Sequence, residues 1–369
     1  MGEKVCCIFN LAPHYRAPIY TLMDQELKCD FYLSDRVTTP IKLMNYNDLK
    51  GYKKTLVITS LGTNFYWQKG AFRLAFKHYS HYIISGDPYC LSTWLILILT
   101  KLFRKKTYLW THGWYGDETF LKRKVKKFYF SLCTKVLLYG DYARNLMIKE
   151  GINPGKLVTI YNSLDFDAQC KIKSNLKQTN IYKNHFKNSF PVLLYIGRIQ
   201  PIKKINSIIE ALKSLRDRDI NCNLIIIGKE TVDEHIIHNL ITKYQLEKNI
   251  WFYGACYDEE ILGELIFNAD LCVSPGNVGL TAMHSLVYGT PVITHNNFVN
   301  QMPEFEAIKE GETGSFFVED SIPDLCEKII PWLSLTTLKL EFVKNKCFEI
   351  INQKYNPHSQ LDTLKKIIK

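Results

Sequence analysis

Short apolar runs alternate with segments of helical periodicity along almost all of this 369-residue sequence. In the first half the predicted strands are Val5–Asn10, Asp30–Leu33, Thr55–Ser60, Tyr82–Ser85, Thr107–Trp110, Val136–Tyr139 and Leu157–Tyr161. In the second half they are Pro191–Ile196, Asn223–Ile227, Ile250–Tyr253, Asp270–Ser274, Pro291–Thr294 and Ser315–Val318. Strands that alternate with helices form parallel sheets covered on both faces, and this number of strands is too large for one sheet. The pattern therefore predicts an α/β fold with two doubly wound domains.

A polar segment without sustained periodicity, Asp167–Phe190, separates the two groups of strands. We expect a first Rossmann-like domain over residues 1–168, a linker over 169–190 and a second Rossmann-like domain over 191–345. Residues 346–369 are expected to form a helical segment that packs back on the first domain. Ligands of doubly wound sheets bind outside the carboxyl ends of the strands, so the chemistry is expected in the loops that follow them.

The net charge of +11 is unevenly distributed along the chain. Residues 1–170 hold 24 Lys and Arg against 13 Asp and Glu, whereas residues 171–369 hold 23 of each. A basic half indicates an anionic partner, such as a membrane surface, a phosphorylated substrate or nucleic acid. Nucleic acid is disfavoured, because basic residues cluster on one helix and no known reader motif is present.

The lack of a membrane span or signal-peptide pattern and the pattern of cysteines predict a cytoplasmic location. The longest apolar stretch starts at Trp94 and is interrupted by Lys101, whereas a membrane span needs about 20 apolar residues. Met1–Asn10 lacks the pattern of a secretory signal peptide. The eleven cysteines include no Cys-x-x-Cys pair, so we expect reduced thiols that serve as small hydrophobic residues, and no metal site.

The loop after strand Pro191–Ile196 combines a glycine with two cations. Gly197 lets the backbone approach a ligand closely, and Arg198 and Lys203 lie five residues apart. These two side chains can converge on a diphosphate, Arg as a fork and Lys as a point charge. A solvated basic loop before a helix is the alternative interpretation.

The loop after strand Asp270–Ser274 is rich in glycine and leads into a helix. It contains Gly276, Asn277, Gly279 and Leu280. Glycines at a helix N-terminus leave free backbone N–H groups and the positive end of the dipole for phosphate or sugar oxygens. A simple glycine-rich turn remains open as the alternative.

Several pieces of the second half, taken in order, resemble glycosyltransferase family 4. The first is the segment Tyr195-Ile-Gly-Arg-Ile-Gln-Pro-Ile-Lys-Lys, which resembles the family's phosphate-binding segment. The later pieces are Leu224-Ile-Ile-Ile-Gly, Phe252-Tyr-Gly with Asp258-Glu-Glu, Ala269-Asp-Leu-Cys-Val-Ser-Pro, Gly279-Leu, Tyr288-Gly-Thr-Pro-Val-Ile and Glu306-Ala-Ile-Lys-Glu-Gly-Glu-Thr-Gly. The match is dense over residues 190–318. It is looser in the first half, at Pro13-His-Tyr-Arg, Trp110-Thr-His-Gly and Asn162-Ser-Leu-Asp.

This resemblance implies a GT-B fold, in which two Rossmann-like domains face each other across a cleft. The second domain would bind a nucleoside diphosphate sugar as the donor substrate, and the first would bind the acceptor. Members of the family retain the anomeric configuration and need neither a metal nor another cofactor. Arg198 and Lys203 would hold the donor diphosphate and stabilise the leaving group. The donor-binding residues would be Gly197, Gly276, Asn277, Gly279, Leu280, His284 and Glu306.

One departure from the family pattern concerns two glutamates separated by seven residues. Here those positions hold Gly276 and His284. The first glutamate normally contacts the donor sugar, and the second contacts the ribose hydroxyls. Gly276 has no side chain for a sugar hydroxyl, while His284 can still bond to ribose as a neutral group. A helix histidine bonded within the protein is the alternative for His284. The departure bears on the donor sugar more than on the reaction class.

Three residues of the first half are candidates for the acceptor side of the site. His112 follows a predicted strand, and the family often has a histidine there near donor sugar and acceptor; we assign it catalytic importance but not the role of general base. His14 and Arg16 follow the first strand and resemble the family's first loop, without its usual glycines. Arg16 is a candidate contact for an acceptor phosphate, and a surface arginine is the alternative.

The segment Phe120–Leu132 is predicted to be a basic amphipathic helix. Leu121, Val125, Phe128 and Leu132 share one face. The cations are Lys122, Arg123, Lys124, Lys126 and Lys127. Such a helix suits the surface of an anionic leaflet, although an apolar stripe packed on the sheet is the alternative.

Together these features predict a metal-independent, retaining glycosyltransferase of the hexosyltransferase type. It would move a sugar from a nucleoside diphosphate sugar to a hydroxyl of a glycan or polyprenyl-linked acceptor. The expected setting is bacterial surface polysaccharide or glycoconjugate synthesis, at the inner face of the cell membrane. The alternatives are a non-catalytic GT-B partner subunit and a sugar-nucleotide epimerase on the same fold.

Overall fold

The computed structural model describes residues 4–34, 41–229 and 234–368. The chain divides into two compact units. Unit 1 comprises the residues up to Asp165 together with the chain from Asn356 onward, and unit 2 comprises Phe166–Tyr355. Each unit contains its own parallel sheet, which confirms the predicted α/β class.

Unit 1 is built on a seven-stranded sheet in the order β3-β2-β1-β6-β7-β8-β9, with every pairing parallel. The strands of unit 1 are β1 (Val5–Phe9), β2 (Asp30–Ser34), β3 (Tyr52–Leu56), β4 (Ile58–Leu61), β5 (Phe65–Gln68), β6 (His81–Ser85), β7 (Lys106–Thr111), β8 (Lys135–Leu138) and β9 (Leu157–Thr159). The strand order reverses at β1, which has β2 on one side and β6 on the other.

The apolar run predicted as one strand over Thr55–Ser60 is divided between two strands. Its first part ends β3 of the parallel sheet, and its second part begins β4, which pairs antiparallel with β5 in a separate hairpin. Val57 lies between them and is exposed, so the run is not buried along its whole length.

Helices cover both faces of this sheet because successive side chains of its strands point to opposite faces. The first helices are α1 (Ala17–Leu27), α2 (Leu91–Leu102), α3 (Phe120–Leu132) and α4 (Asp141–Lys149). Phe9 of β1 packs in one core cluster with Tyr20 of α1. Ile8 packs in the opposite cluster with Ile96 of α2 and Tyr129 of α3.

Unit 2 is built on a six-stranded parallel sheet in the order β12-β11-β10-β13-β14-β15. Its strands are β10 (Val192–Ile196), β11 (Asn223–Ile227), β12 (Ile250–Gly254), β13 (Leu271–Ser274), β14 (Val292–His295) and β15 (Gly314–Phe317). Its helices are α5 (Phe166–Asn175), α6 (Ile181–Phe186), α7 (Ile205–Arg216), α8 (Glu234–Tyr244), α9 (Glu259–Asn268), α10 (Leu280–Val287), α11 (Ile322–Ile329) and α12 (Thr337–Lys354). The strand order reverses at β10.

The segment expected to be a linker, residues 169–190, holds most of α5 and all of α6, and it lies within unit 2. Tyr182 is buried and donates a hydrogen bond to the carbonyl of Leu265 at 2.6 Å. Gln169 is also buried and donates to Glu259 at 2.8 Å. These helices show little periodicity because a few anchoring residues, rather than a continuous apolar face, hold them to the unit.

The last helix, α13 (Pro357–Ile368), belongs to unit 1 although the preceding helix belongs to unit 2. It packs against α1, and Leu361, Leu364 and Ile368 enter the same core cluster as β1. Gln360 accepts a hydrogen bond from Ser163 at 2.7 Å. The chain returns to unit 1 at Asn356, later than the start at residue 346 expected from the sequence.

Within the described parts of the chain, every helix is too short or too polar to cross a membrane. All eleven cysteines are free thiols, and nine of them are buried.

Candidate functional site

In each unit, candidate residues follow strands at or near the point where the sheet order reverses. In unit 2, Gly197 follows β10 and Gly276 follows β13. In unit 1, Arg16 follows β1 and His112 follows β7. The carboxyl edge beside such a reversal is where doubly wound sheets bind ligands, because the flanking loops diverge and leave a crevice.

Backbone segments approach each other closely in the unit 2 loops. The N–H of Gly276 donates to the carbonyl of Lys203 at 3.2 Å. A Cβ placed on Gly276 would lie 2.1 Å from the carbonyl oxygen of Ile202 and 2.7 Å from Cα of Lys203. The space that a side chain at position 276 would need is therefore filled by the backbone of residues 202–203.

Lys203 is anchored to the loop that Gly276 opens. Its Nζ donates to Oδ1 of Asn277 at 2.6 Å and to the carbonyl oxygen of Asn277 at 2.5 Å. Burial and, to a smaller extent, the charge of Arg198 lower the pKa of Lys203 to about 8, although Glu304 acts in the opposite direction. Arg198 itself is exposed. Two cations thus lie at one edge of the sheet and repel each other. A bound anion would relieve this repulsion.

The N-terminus of α10 lies beside the end of β10, because the hydroxyl of Thr281 donates to the carbonyl of Ile196 at 2.9 Å. Its N-cap, Gly279, has φ of 53° and gives no side-chain cap. The N–H of the preceding Val278 is already bonded to Oε1 of Gln301 at 2.9 Å. Gln301 also donates to Thr294 and to the carbonyl of His295, so it ties this loop to the end of β14. Sequence reasoning missed Gln301, since no local pattern marks it.

His284, on α10, is bonded within unit 2. Its Nε2 donates to Oε1 of Glu259 at 2.8 Å, and the same oxygen accepts from Tyr288 at 2.9 Å and from Gln169 at 2.8 Å. Burial raises the pKa of Glu259, but the hydrogen bond from His284 and its neighbours outweighs burial, and the pKa lies below its ordinary value. Three helices therefore meet at Glu259, which the sequence did not single out.

Glu306 lies in the 3-10 helix Pro303–Ala307 and is partly buried. The neighbouring Glu304 is buried, and it raises the pKa of Lys203. Glu304, two positions before Glu306, is thus an acidic residue that acts on Lys203.

A cavity of about 380 Å³ lies in unit 1 at the carboxyl ends of β1, β6 and β7. Arg16 and His112 both line it. His14 does not; its side chain is exposed, and its Nδ1 lies 3.1 Å from the carbonyl oxygen of Lys42. The structure therefore brings together two of the three candidates of the first half.

His112 is held neutral in the cavity wall. Burial lowers its pKa to about 4, and the charges of Arg16 and Lys126 act in the same direction. Its ring lies 4.7 Å from that of Tyr139 between centroids. Among the described residues, no hydrogen-bond partner reaches its buried Nδ1. At neutral pH the imidazole can thus offer one donor and one acceptor to a ligand.

Lys126 points inward and is removed from the predicted membrane surface. Its side chain is 19% exposed, lies 2.6 Å from Glu118 and lines the unit 1 cavity. Glu118 also accepts from the N–H groups of Tyr115 and Gly116, so it orders the loop that carries His112. Burial raises the pKa of Glu118, but Lys126 and these N–H groups outweigh it and lower the pKa.

The other side of α3 presents apolar and basic side chains to solvent. Leu121 is 71% exposed and Phe128 is 60% exposed, so this part of the stripe faces solvent, whereas Leu132 packs against the core. Exposed cations flank the stripe: Lys122, Arg123, Lys124 and Lys127. Of these cations, Arg123 also forms an ion pair with Glu150 at 2.9 Å. The neighbouring helix α2 extends the apolar surface through Ile98 and Leu102, which the sequence interpretation did not include.

Comparison with protein families gives a match that lies within unit 2. Residues 177–346 match the family model described as Glycosyl transferases group 1. The matched segment contains the loops of Arg198, Lys203 and Gly276, and it ends within α12.

Two curated relatives illustrate the similarity. The "Uncharacterized 41.2 kDa protein in cps region" of Klebsiella pneumoniae is 24% identical over 304 residues, which span 81% of this chain and 74% of that protein. The alpha-D-kanosaminyltransferase of Streptomyces kanamyceticus is 22% identical over 214 residues, which span 57% of this chain and 54% of that enzyme. The chain thus aligns with about half the length of the second relative.

Solved structures resemble the whole chain. HepE from Anabaena in complex with UDP has a TM-score of 0.74 at 14% identity, and the alignment covers 99% of each of the two chains. A glycosyltransferase from Rickettsia africae has a TM-score of 0.74 at 16% identity, over 100% of this chain and 98% of that one. The likeness shows the fold: two Rossmann-like domains of the GT-B class.

Proposed function

We propose that this protein is a metal-independent, retaining glycosyltransferase similar to family 4. It transfers a sugar, of hexosyl type, from a nucleoside diphosphate sugar to a hydroxyl of a glycan or lipid-linked acceptor. The observation that carries the proposal is the pair Arg198 and Lys203, held beside the N-terminus of α10 on the carboxyl edge of the unit 2 sheet. The family match over residues 177–346 and the UDP complex of the similar HepE structure support it.

The reaction breaks the bond between the anomeric carbon and the diphosphate and joins that carbon to the acceptor oxygen. Negative charge grows on the departing diphosphate, so cations placed there lower the barrier. Arg198 and Lys203 would supply that charge from the protein itself. The N–H groups of Gly279 and Leu280 would add the dipole of α10.

The altered glutamate positions favour a rearranged donor site over a lost one. Asn277 binds the ammonium of Lys203 and keeps it at the loop. The backbone of residues 202–203 fills the space beside Gly276, so the loop is compact without a side chain there. The glycine is thus a requirement of this loop's packing.

The acceptor would bind in unit 1, at the cavity that contains Arg16 and His112. Bacterial surface polysaccharide or glycoconjugate synthesis is the proposed setting, and the cps-region relative of Klebsiella pneumoniae supports it. We place the enzyme in the cytoplasm, peripheral on the inner face of the membrane, because α3 exposes an apolar stripe flanked by cations.

Thermal unfolding with UDP, GDP, ADP, CDP and dTDP, each with EDTA present, tests the proposal. A ligand at 100 times its dissociation constant adds about 2.7 kcal/mol to the free energy of unfolding, and one nucleotide is expected to do so. Arg198→Ala and Lys203→Ala should abolish that stabilisation. Transfer or hydrolysis of the matching nucleotide sugar, again with EDTA, follows. Failure of every nucleotide would reject the transferase in favour of a non-catalytic partner subunit.

A further inference from the structure

The guanidinium of Arg16 lies in an aromatic wall of the unit 1 cavity. Its Cζ is 4.9 Å from the ring centroid of Tyr139 and 5.3 Å from that of Trp110. Nη2 donates a hydrogen bond to the hydroxyl of Tyr139. Tyr20 is a second hydroxyl partner of this guanidinium, and both partners are uncharged, although Arg carries five N–H donors.

The charge of Arg16 is not neutralised by an ion pair with a described residue. The second cation, Lys126, is neutralised by Glu118 at 2.6 Å, and His112 is neutral because its pKa is lowered to about 4. A partly buried cation without an ion-pair partner is stabilised when an anion binds beside it.

One acidic residue, Asp87, does line the cavity, but it forms no ion pair with Arg16, and each of its oxygens accepts one hydrogen bond from a neutral donor. Oδ2 accepts from the hydroxyl of Tyr66 at 2.9 Å, and Oδ1 accepts from the N–H of Tyr89 at 2.9 Å. The Asp87 carboxylate, with Asn10 and Ser85 bonded to each other nearby, is suited to accept hydrogen bonds from sugar hydroxyls.

Two further buried polar atoms belong to residues of the cavity wall. Trp110 is 4% exposed, and its Nε1 has no hydrogen-bond partner in the described structure. The same holds for Nδ1 of His112. Buried polar atoms are normally satisfied, so this wall is incomplete without a ligand or water.

We propose that the unit 1 cavity binds an anionic saccharide, whose phosphate or carboxylate group pairs with Arg16 while its sugar ring packs on the aromatic wall. A guanidinium matches both oxyanions with paired hydrogen bonds, so a sugar phosphate and an acidic sugar share the required chemistry. That this saccharide is the acceptor rests on the proposed transferase function. The anion site itself does not.

Isothermal titration of the full chain with glucose 1-phosphate, glucuronate and glucose tests the site. Wild-type protein should bind one of the two anionic sugars at least roughly tenfold more tightly than glucose, because a charge-assisted pair is added. Arg16→Gln should remove that preference, and Arg16→Lys should keep part of it. A melting curve shows whether Arg16→Gln is folded. If it is not, Arg16→Lys is the variant that tests the site.

Lys203→Gln serves as the matched control, because it removes a cation of unit 2. It should weaken UDP binding and leave the binding of the anionic sugar unchanged. Equal binding of glucose and both anionic sugars by wild type, or loss of sugar binding in Lys203→Gln but not in the Arg16 variants, would overturn the inference. Absence of UDP binding with Arg16-dependent sugar binding intact would instead reject the transferase and keep the anion site.

Discussion

The imidazole Nε2 of His284 lies 2.8 Å from Oε1 of Glu259, and this bond joins α10 to the first turn of α9. His284 stands where the resembled family has a glutamate. A carboxylate at position 284 would face the carboxylate of Glu259 and repel it. His284 therefore suits its partner Glu259, and a glutamate at position 284 alone would break the hydrogen bond between them.

We predict that His284→Glu lowers the free energy of unfolding by about 2 kcal/mol more than His284→Gln, since Glu places a second carboxylate beside the partly buried Glu259, whereas the amide of Gln can still donate to it. Urea denaturation at pH 7 measures the difference. The difference in stability should shrink at pH 4, where one carboxyl takes up a proton. The double variant His284→Glu with Glu259→Gln should recover most of the stability that His284→Glu loses. Equal stability of the two single variants at pH 7 would contradict the pairing.

Gly276→Ala should destabilise the protein by about 3 kcal/mol or more, because the added Cβ meets backbone atoms that cannot rotate away. Gly276→Glu should be at least as damaging and should not improve nucleotide binding. Gly155→Ala is the control, since its Cβ would meet only the side chain of Asn153 at 3.2 Å. Thermal unfolding compares the three variants, and a neutral Gly276→Ala would show that the loop has room.

Nucleotide affinity should fall as the pH rises from 7 to 9. The pKa of Lys203 is lowered to about 8, so its charge is lost in the free protein over this range. Bound diphosphate favours the protonated amine, and the affinity for UDP or the preferred nucleotide should decline above pH 8. Lys203→Arg stays charged and should bind with little pH dependence. A decline of equal size in Lys203→Arg would assign the effect to another group.

Glu118→Gln should lower the free energy of unfolding by about 2–4 kcal/mol at pH 7, because it leaves the Lys126 ammonium partly buried without its partner. The pKa of Glu118 is lowered in the folded state, so its stabilisation is present above the unfolded pKa and is lost as pH falls through the folded pKa. The wild type and Glu118→Gln should therefore converge in stability at acidic pH. Parallel pH curves in urea denaturation would exclude this carboxylate as the cause.

Binding to vesicles that contain anionic lipid should depend on the exposed side of α3. Replacing Lys122, Lys124 and Lys127 with Gln removes about 1 kcal/mol each, so the partition coefficient should fall roughly a hundredfold. Replacing Leu121 and Phe128 with Ser should weaken binding in high salt as well, because that contribution is hydrophobic. Co-sedimentation measures both effects.

The control for the membrane experiment lies in unit 2, where Lys183, Lys243 and Lys248 are exposed. Their replacement with Gln removes the same number of charges and should leave vesicle binding unchanged. Equal loss in both triple variants would indicate general charge attraction rather than a docking surface on α3.

Local periodicity by itself determined most of the elements. The helix Phe120–Leu132 begins and ends in the structure where the sequence pattern placed it. The strand Asn223–Ile227 does as well. Such segments are predictable because the spacing of apolar side chains within a few residues decides which face can be buried. The cationic loop of Arg198 and Lys203 was equally visible, since it follows a strand directly.

Only the tertiary structure decided which polar side chains are partners. In the folded protein, Lys126 points inward and pairs with Glu118, and His284 bonds to Glu259, which lies 25 positions earlier in the chain. Residues 202–203 fill the space beside Gly276. The tertiary structure also anchored α6 through Tyr182, in a segment whose sequence is mostly polar. The strength of a charge or hydrogen bond depends on burial and on groups distant in the chain, and neither is encoded in local spacing.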